Sequence, residues 1–264
     1  MKQNTELSIS SWFGYELSFE ERIKLIKGAG FQSVMIWWGE EYWNNNKTKK
    51  LIPEIIRKDD LKIDNIHFSF AGINSLWEDS IEGEELLNNY FLQIEDCKKF
   101  VIPTAVMHIT SRNTPSYGQL GLKRFKQLAE KAEKEDVTIA LENVFTPEYL
   151  DYLLVNINSD KLKFCYDSGH ENCFTKGIDF LEKYGGRLAA LHLHDNDGSG
   201  DQHMLPFSAS VNWERIMKKL KKVNYKGSLA LEIDAKYSHV LNKYNAKSFL
   251  AEAKNRANKL LNIL

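Results

Sequence analysis

The segment TIALENVFTPEYLDYLLVNINSDKLKFCYD, residues 138–167, contains one full strand–helix–strand repeat, the pattern from which the fold is predicted. It opens with a strand-like run at Thr138–Glu142, continues as an amphipathic stretch over Pro147–Val155, and closes with a second strand-like run at Lys163–Asp167. Pro147 follows Thr146 as a first-turn proline follows an N-cap, which marks a helix start. A strand, a helix and a strand within about 30 residues form one βαβ unit and predict parallel strands.

The same alternation runs outward from this segment in both directions. The predicted strands are Leu7–Trp12, Phe31–Trp37, Lys62–Phe68, Ala105–Ile109, Thr138–Glu142, Lys163–Asp167, Leu188–His194 and Leu229–Ile233. The predicted helices are Ser18–Lys27, Lys50–Arg57, Glu84–Phe100, Leu120–Lys134, Pro147–Val155, Ile178–Tyr184, Trp213–Lys221 and Ala246–Ile263. Ser18 and Glu21 have the spacing of a capping box, and Gly28 and Gly30 mark the end of the first helix.

Eight strands alternating with eight helices predict a (β/α)8 TIM barrel, an α/β fold, as a single domain over residues 1–264. A doubly wound open sheet would alternate in the same way, but it concentrates its site near one switch point. Here the polar residues fall at the ends of many strands, which favours the closed barrel. The longest irregular stretches all follow strands and belong to the face that carries the site in barrel enzymes: Gly39–Thr48, Ser69–Asp79, Thr110–Gly118 and Asn196–Ser210.

Composition excludes several classes of protein. The 264 residues carry 35 basic and 36 acidic side chains, a net charge of -1 that argues against a dedicated nucleic-acid binder. The three cysteines are an odd number without a C-x-x-C pair and indicate free thiols in a reducing compartment. The N-terminus lacks the apolar core of a signal peptide, and no apolar run reaches the roughly 20 residues of a membrane span. We therefore expect a cytoplasmic protein without a membrane partner.

Metal-binding residue types end four successive predicted strands, the fifth to the eighth: Glu142, Asp167, His192 and Glu232. Each glutamate follows apolar strand residues, where an unpaired carboxylate is costly to bury. A salt bridge to lysine or arginine is the alternative explanation. Because barrel closure brings distant strand ends to one rim, the four side chains are predicted to share one divalent ion.

A wider ring of similar residues surrounds these four. His67 and His108 end the third and fourth strands, and His170, Asp201 and His203 lie in the loops after strands six and seven. A single histidine at a strand end is often only a hydrogen-bonded rim residue. Taken together, these five residues are predicted to bind additional metal or substrate.

Aromatic and basic residues near the same rim are candidates for substrate contacts. Trp12, Trp37, Trp38 and Trp43 are predicted to cover the apolar face of a sugar ring or carbon chain, although packing between barrel and helix is the alternative. Arg112 and Lys236 follow strands four and eight, where they would bind a phosphate or carboxylate, or simply be solvated. His194 completes the predicted substrate contacts.

The strand-end series resembles the xylose isomerase-like superfamily, which includes sugar isomerases, ketose 3-epimerases, inosose or dehydroshikimate dehydratase-like lyases and endonuclease IV. The resemblance covers nearly the whole chain. The motifs that carry it are Leu141-Glu142-Asn143, Asp167-Ser168-Gly169-His170, His192-Leu193-His194-Asp195-Asn196-Asp197, Asp201-Gln202-His203-x-x-Pro206 and Val211-Asn212-Trp213. The family often has P-G-x-G after this proline, whereas this chain has Phe207, Ser208, Ala209 and Ser210.

The resemblance implies that Glu142, Asp167, His192 and Glu232 hold the shared metal and that His170 contacts a substrate oxygen. It also implies that Glu142 and Glu232 move protons, one taking a proton beside a carbonyl and the other returning it through a metal-stabilised enediolate. The expected cofactor is Mn2+, Co2+, Mg2+ or, given the added histidines, Zn2+, with no organic cofactor. The expected substrate is a small sugar, sugar phosphate or polyol. Homo-oligomers are common in the family.

The resemblance to endonuclease IV supplies a competing interpretation, a three-zinc abasic-site endonuclease. Its ligand positions are all filled by compatible residue types: His67, His108, Glu142, Asp167, His192, Glu232, His170, Asp201 and His203. However, its D-R-H motif has become Asp201-Gln202-His203, and its N-D-S has become His194-Asp195-Asn196. No basic glycine-rich loop for DNA follows strands one or two, so the isomerase or epimerase is the preferred interpretation. A related lyase and a barrel that binds without turnover are the remaining alternatives.

Overall fold

Short, almost fully buried runs of apolar residues form eight strands in a computed structural model, which describes residues 5–39 and 46–264. The strands are β1 Leu7–Ser10, β2 Ser33–Trp37, β3 Lys62–His67, β4 Thr104–Met107, β5 Thr138–Glu142, β6 Leu162–Asp167, β7 Leu188–His192 and β8 Leu229–Leu231. Around them lie the helices α1 Phe19–Gly28, α2 Asn46–Lys58, α3 Ile81–Lys99, α4 Gln119–Glu135, α5 Pro147–Asn156, α6 Ser168–Phe174, α7 Phe180–Tyr184, α8 Trp213–Lys222 and α9 Ala246–Ile263.

All strand pairs are parallel and run in the order β7-β6-β5-β4-β3-β2-β1-β8. The two ends of this sheet meet through a parallel bridge between Leu193 and Leu231. Leu193 N donates to the Ala230 carbonyl at 2.9 Å, and Glu232 N donates to the Leu193 carbonyl at 3.1 Å. The predicted (β/α)8 TIM barrel in a single domain is therefore confirmed.

The structure differs from the predicted elements mainly on the rim. The residues after β6 form a short helix, α6, that the sequence analysis missed, and Ile73–Trp77 form a 3-10 helix within a stretch predicted to be irregular. The helix predicted at Ile178–Tyr184 begins only at Phe180. No helix within the described ranges is long and apolar enough to cross a membrane.

Two helix N-termini lie where the local sequence predicts them. The Ser18 hydroxyl accepts from Glu21 N, and the Glu21 side chain accepts from Ser18 N, which is the predicted capping box. Pro147 occupies the first turn of α5 as predicted. Thr146, however, makes no capping hydrogen bond, because its hydroxyl pairs with the Thr110 hydroxyl at 2.5 Å.

Small buried side chains separate the main core from the polar end of the barrel. They form a cluster of their own, and each stands two positions before a candidate site residue on its strand: Val106, Ala140, Cys165 and Ala190. Since side chains two apart on a strand point to the same face, this cluster is the floor beneath His108, Glu142, Asp167 and His192. The small floor leaves the longer polar side chains room to converge above it.

Candidate functional site

The four predicted metal ligands converge at the carboxyl ends of the strands. Glu142, Asp167 and His192 are the last residues of β5, β6 and β7, and Glu232 directly follows β8. One donor atom of each lies within 4.8 Å of the donor atoms of the others. This spacing is close to what one ion spans with bonds of about 2 Å to each ligand. Three carboxylates and an imidazole therefore fit a divalent ion such as Mn2+, Co2+ or Zn2+.

Glu142 is completely buried and is contacted on both carboxylate oxygens by imidazoles. Its Oε1 lies 3.0 Å from His192 Nδ1, and its Oε2 lies 3.0 Å from His67 Nε2 and 3.2 Å from His108 Nε2. Burial opposes ionisation, but the charge of His192 and the bond from His108 hold the pKa of Glu142 well below its usual range. Glu142 is therefore a carboxylate at neutral pH. No lysine or arginine bonds to it within the described chain, so the salt-bridge alternative does not explain it.

His192 joins the two glutamates. Its Nδ1 lies 3.0 Å from Glu142 Oε1 and 3.3 Å from Glu232 Oε2. Burial disfavours the imidazolium, yet Cys165 and the two carboxylates raise the pKa of His192 well above its ordinary value. Without a metal, the ring is therefore protonated at neutral pH and balances part of the carboxylate charge.

Hydrogen bonds to the Asn143 side chain and to the first turn of α6 hold Asp167 in place. Asn143 Nδ2 donates to the Asp167 carbonyl at 2.9 Å, and Asp167 N donates to Asn143 Oδ1 at 2.8 Å. The Asp167 carboxylate also caps α6, because its Oδ1 accepts from His170 N at 2.6 Å. Asn143 was part of a quoted motif but received no role in the sequence analysis. Its position directly after Glu142 was the available signal.

Three histidines are oriented in the manner of metal-binding imidazoles. A backbone carbonyl only accepts, so Nδ1 of His67, His170 and His203 must each carry its proton when it bonds such a carbonyl. The accepting carbonyls belong to Phe68, Asn143 and Glu232, at 2.7, 3.0 and 2.9 Å respectively. Each Nε2 then faces a carboxylate: Glu142 at 3.0 Å for His67, and Asp201 at 3.4 and 3.1 Å for His170 and His203. A backbone carbonyl that accepts from one ring nitrogen, with the other nitrogen free to bind, is typical of histidines that coordinate a metal.

Asp201 and its histidines form a second group beside the four ligands. His194, Asp201 and His203 have donor atoms within 4.8 Å of one another, as do Asp167, His170 and His194. Burial raises the pKa of Asp201, but His203 and His170 more than reverse this and lower it. Burial likewise opposes the charge on His203, while Asp201 raises the pKa of His203 to about 10.

His194 belongs to this second group rather than to a substrate surface. Its side chain is completely buried, its Nε2 lies 3.1 Å from Asp167 Oδ1, and its ring stacks on His203 with centroids 4.2 Å apart. Gly169 allows this arrangement, because a Cβ at that position would overlap the His194 ring. The substrate contact predicted for His194 therefore does not agree with its position.

A cavity of 470 Å³ opens at Glu142 and Glu232, two of the four proposed ligands. Its described walls are Ser10, Trp12, Trp37, His67, Phe70, His108, Glu142, His170, Asp201, His203, Glu232, Ile233, Asp234 and Tyr237. Glu232 is the more accessible of the two glutamates, with a quarter of its side chain exposed (25%) against 1% for Glu142. The cavity is therefore bounded by carboxylates and imidazoles below and by aromatic rings at its sides.

Trp12 is fixed in the cavity wall by Asp234. Trp12 Nε1 donates to Asp234 Oδ2 at 2.7 Å, and the Arg22 guanidinium lies 5.2 Å from the ring centroid. Asp234 also accepts from two backbone amides of the loop after β8. Gly14, at φ +94, lets the loop after β1 approach Asp234, where a Cβ would clash. Asp234 is a positioning residue that the sequence analysis missed.

Trp37 and Trp38, adjacent in sequence, have different surroundings. Trp37 lines the cavity and stacks on His67 with centroids 5.1 Å apart. Trp38 is completely buried, its Nε1 donates to Asp96 at 3.3 Å, and the Lys49 ammonium lies 5.0 Å from its ring. The substrate contact predicted for Trp38 thus fails, because its indole packs into the core.

The remaining predicted contacts lie farther out. Lys236 and Arg112 are both exposed. Lys236 lines none of the described cavities, whereas Arg112 lines two cavities beside the main one. Trp43 lies outside the described residues. A residue not singled out in the sequence analysis, Phe70, stacks on His108 with centroids 4.3 Å apart and borders the main cavity.

Asp195 organises the loop that follows β7. It is completely buried, and its carboxylate accepts from Ser208 N, Ala209 N, Val211 N and Trp213 Nε1 at 3.0 to 3.1 Å. This one carboxylate therefore joins three backbone amides of the loop, in which Phe207 to Ser210 follow Pro206. Asp195 was quoted within a motif but was given no function, since only the folded loop shows its partners.

A family model described as xylose isomerase-like TIM barrel matches residues 23–254. The chain belongs to this family. Among curated relatives, the uncharacterized protein y4fM of Sinorhizobium fredii is 26% identical over 278 residues, covering 88% of this chain and 87% of its own.

Solved structures of the xylose isomerase-like barrel superimpose on the whole chain. One of L-ribulose 3-epimerase has a TM-score of 0.78 at 13% identity, covering 98% of this chain and 95% of its own. One of IolI with a bound zinc atom has a TM-score of 0.77 at 17% identity, covering 97% and 98%. At these identities the likeness shows a shared fold.

Proposed function

We propose that this chain is a divalent-metal-dependent isomerase or epimerase that acts on a small sugar, sugar phosphate or polyol in the cytoplasm. The observation that carries the proposal is the pair Glu142 and Glu232, which lie 3.0 and 3.3 Å from the same imidazole nitrogen of His192. Both glutamates line the cavity, but Glu142 is buried among imidazoles and Glu232 is the more accessible. Two carboxylates at one centre, with unequal access, suit the removal and return of a proton on carbon.

Glu142, Asp167, His192 and Glu232 would hold the ion, and His192 would bind through Nδ1. When bound, a divalent ion polarises the carbonyl and hydroxyl oxygens of the substrate and lowers the pKa of the intervening C–H group. Glu232 takes the proton from that carbon, and the electron pair of the broken C–H bond moves toward the neighbouring carbonyl. Glu142, a carboxylate at rest, takes up a proton from solvent in the cavity that it lines and returns it to carbon, and Glu232 releases its proton to the same solvent.

The aromatic wall supports a sugar or polyol. Trp12 and Trp37 line the cavity with their indoles, which can pack against the C–H face of a sugar. The carboxylates and imidazoles of the cavity can then contact the sugar oxygens. Relatives in fold that carry the names L-ribulose 3-epimerase and D-psicose 3-epimerase with D-tagatose act on, or bind, sugars of this kind. The zinc atom in IolI supports metal binding by the shared barrel.

The proposal is tested by hydrogen exchange on carbon. Protein stripped of metal and reloaded with Mn2+, Co2+, Mg2+ or Zn2+ is incubated in D2O with ketoses, aldoses, their phosphates and cyclitols. NMR should show metal-dependent loss of one C–H signal, and Glu232→Gln should slow it about 100-fold or more. Glu214→Gln, an exposed change on α8, should leave the rate unchanged. Exchange with none of these compounds under any metal would contradict the proposal, and loss of water from a cyclitol ketone would favour a lyase.

A second function is supported by the orientation of the three histidines. His67, His170 and His203 each present Nε2 to a carboxylate, so the residues offer donor groups for further ions beside the four-ligand centre. Several clustered ions would suit phosphodiester hydrolysis, as in an abasic-site endonuclease. Metal analysis separates the two: about one ion per chain supports the isomerase, whereas about three, with cleavage of an abasic oligonucleotide, supports the nuclease.

A further inference from the structure

A second cavity of 390 Å³ adjoins the main one on the side of β4 and β5. We call it the side arm. It shares Phe70, His108, His170 and Asp201 with the main cavity and is otherwise lined by Thr110, Ser111, Arg112, Val144, Phe145 and Phe174. The side arm is therefore a neighbour of the main cavity, and these four residues contribute to the walls of both.

The loop that carries Arg112 is held in place by hydrogen bonds to its backbone. Asn74 Nδ2 donates to the Arg112 carbonyl at 2.9 Å, and Asn74 Oδ1 accepts from Ser111 N at 2.8 Å. The Thr114 hydroxyl donates to the Ser111 carbonyl at 2.6 Å. These bonds use the backbone of the loop and leave the Arg112 guanidinium uncommitted.

Arg112 differs from the other arginines of the chain in this respect. Each of the others bonds a carboxylate or a backbone carbonyl with its guanidinium: Arg22, Arg57, Arg124, Arg187, Arg215 and Arg256. Among the described residues, the Arg112 side chain makes no hydrogen bond or ion pair. It lines the side arm and also a third cavity, of 570 Å³, that continues past it toward Ser199 and Gly200.

The charges around the two cavities differ in a way that matters for an anion. Glu232 and Asp234 border the main cavity but not the side arm. Asp201 is the carboxylate that the side arm contains among its described walls, and its Oδ2 lies 3.4 Å from His170 Nε2 and 3.1 Å from His203 Nε2. The carboxylates after β8 therefore repel an anionic group from the main cavity, whereas Arg112 adds a positive charge to the side arm.

We propose that the side arm is an anion subsite, in which Arg112 binds a phosphate or carboxylate on the substrate end remote from the reacting carbons. This inference rests on the proposed function and narrows its substrate class to sugar phosphates or sugar acids. Guanidinium binds such groups through two parallel hydrogen bonds, which gives both affinity and orientation. The carbon chain between the metal centre and Arg112 would then run past Thr110, His108 and His170.

Equilibrium binding tests the subsite independently of turnover. Titration calorimetry on Mn2+-loaded protein compares D-ribulose with D-ribulose 5-phosphate, D-glucitol with D-gluconate, and inorganic phosphate alone. The phosphate ester or the acid should bind about tenfold or more tightly than its neutral partner. Which of the two pairs shows the preference decides between phosphate and carboxylate.

Arg112→Gln should abolish this preference while leaving affinity for the neutral sugar within about twofold. Lys236→Gln is the matched control, because Lys236 is an exposed cation at the same end of the barrel outside the described cavities. Three results would overturn the subsite: no preference for either anionic compound, a preference that survives Arg112→Gln, or one that is lost in Lys236→Gln instead. Inorganic phosphate binding as tightly as the ester would overturn its role in substrate recognition.

The outcomes also separate the subsite from the reaction. An Arg112-dependent preference for the anionic compound, without hydrogen exchange on carbon, would support the anion subsite and contradict the isomerase proposal. Metal-dependent exchange on neutral sugars, without a preference for anionic compounds, would support the isomerase proposal and contradict the subsite.

Discussion

Asn143 and Asp167 hold each other through two reciprocal hydrogen bonds, one to a carbonyl at 2.9 Å and one from an amide at 2.8 Å. The bonds tie the end of β5 to the end of β6, so the carboxylates of Glu142 and Asp167 keep a constant separation. Neither atom of Asp167 that Asn143 contacts belongs to the carboxylate. The pair therefore sets ligand position without using ligand oxygens.

Replacing Asn143 by alanine should weaken metal binding about 10- to 100-fold, since groups that orient ligands typically contribute this much. Competition with a chelator on folded protein measures the effect. Asn156→Ala is the control, because Asn156 makes one exposed bond on α5, to the Tyr152 carbonyl. Equal metal affinity in the two variants would show that Asn143 has no positioning role.

Metal binding should release protons. The pKa of His192 is raised well above its ordinary value, so at pH 7 the ring carries a proton that a metal bound at Nδ1 must displace. A raised pKa means that the competing proton is lost only at higher pH, and metal affinity should therefore increase as pH rises through neutrality.

Calorimetry in buffers of different ionisation enthalpy should show release of about one proton or more per ion at pH 7. His239→Gln, a change outside the described site, should not alter this number. An enthalpy that is independent of buffer would contradict a protonated His192 in the metal-free protein.

Asp195→Ala should destabilise the protein strongly. Its carboxylate accepts from four backbone amides and the Trp213 indole. Removing it leaves the buried donors among them, Asn196 N, Val211 N and Trp213 Nε1, unpaired at a cost of about 1–3 kcal/mol each. Urea unfolding should show a free energy of unfolding lower by at least about 3 kcal/mol. Asp197→Asn, which changes an exposed carboxylate that accepts from the Ser199 amide and hydroxyl, should stay within about 0.5 kcal/mol of the natural protein.

Trp12→Ala and Trp38→Ala should have opposite signatures. Trp12 lines the cavity, so its loss should raise KM for the sugar about tenfold with little change in metal affinity. Trp38 is completely buried, so its loss should lower the free energy of unfolding by about 3–5 kcal/mol. A larger KM effect for Trp38→Ala in folded protein would show that our assignment of the two indoles is wrong.

The rim elements show where sequence patterns lose their power. The helix α6 has only seven residues, which is too short for an apolar period to be recognised in the sequence. It begins directly after Asp167, whose carboxylate is its N-cap, so the sequence contains no separate capping residue that predicts it. The sequence does not show whether Trp37 or Trp38 lines the cavity. Neighbouring residues on an extended chain point to opposite sides, and the pattern alone does not say which side faces the cavity. Burial in the folded chain decides between them.

The barrel could be predicted from the sequence, because alternating strands and helices place the strands parallel to one another. Parallel strands bring Glu142, Asp167, His192 and Glu232 to one end of the barrel, so their proximity could be predicted as well. The sequence could not show which histidine nitrogen faces which carboxylate, which tryptophan lines the cavity, or that the Arg112 guanidinium makes no hydrogen bond among the described residues. Chain direction and side-chain period are local properties, whereas hydrogen-bond partners depend on atoms that meet only when the barrel closes.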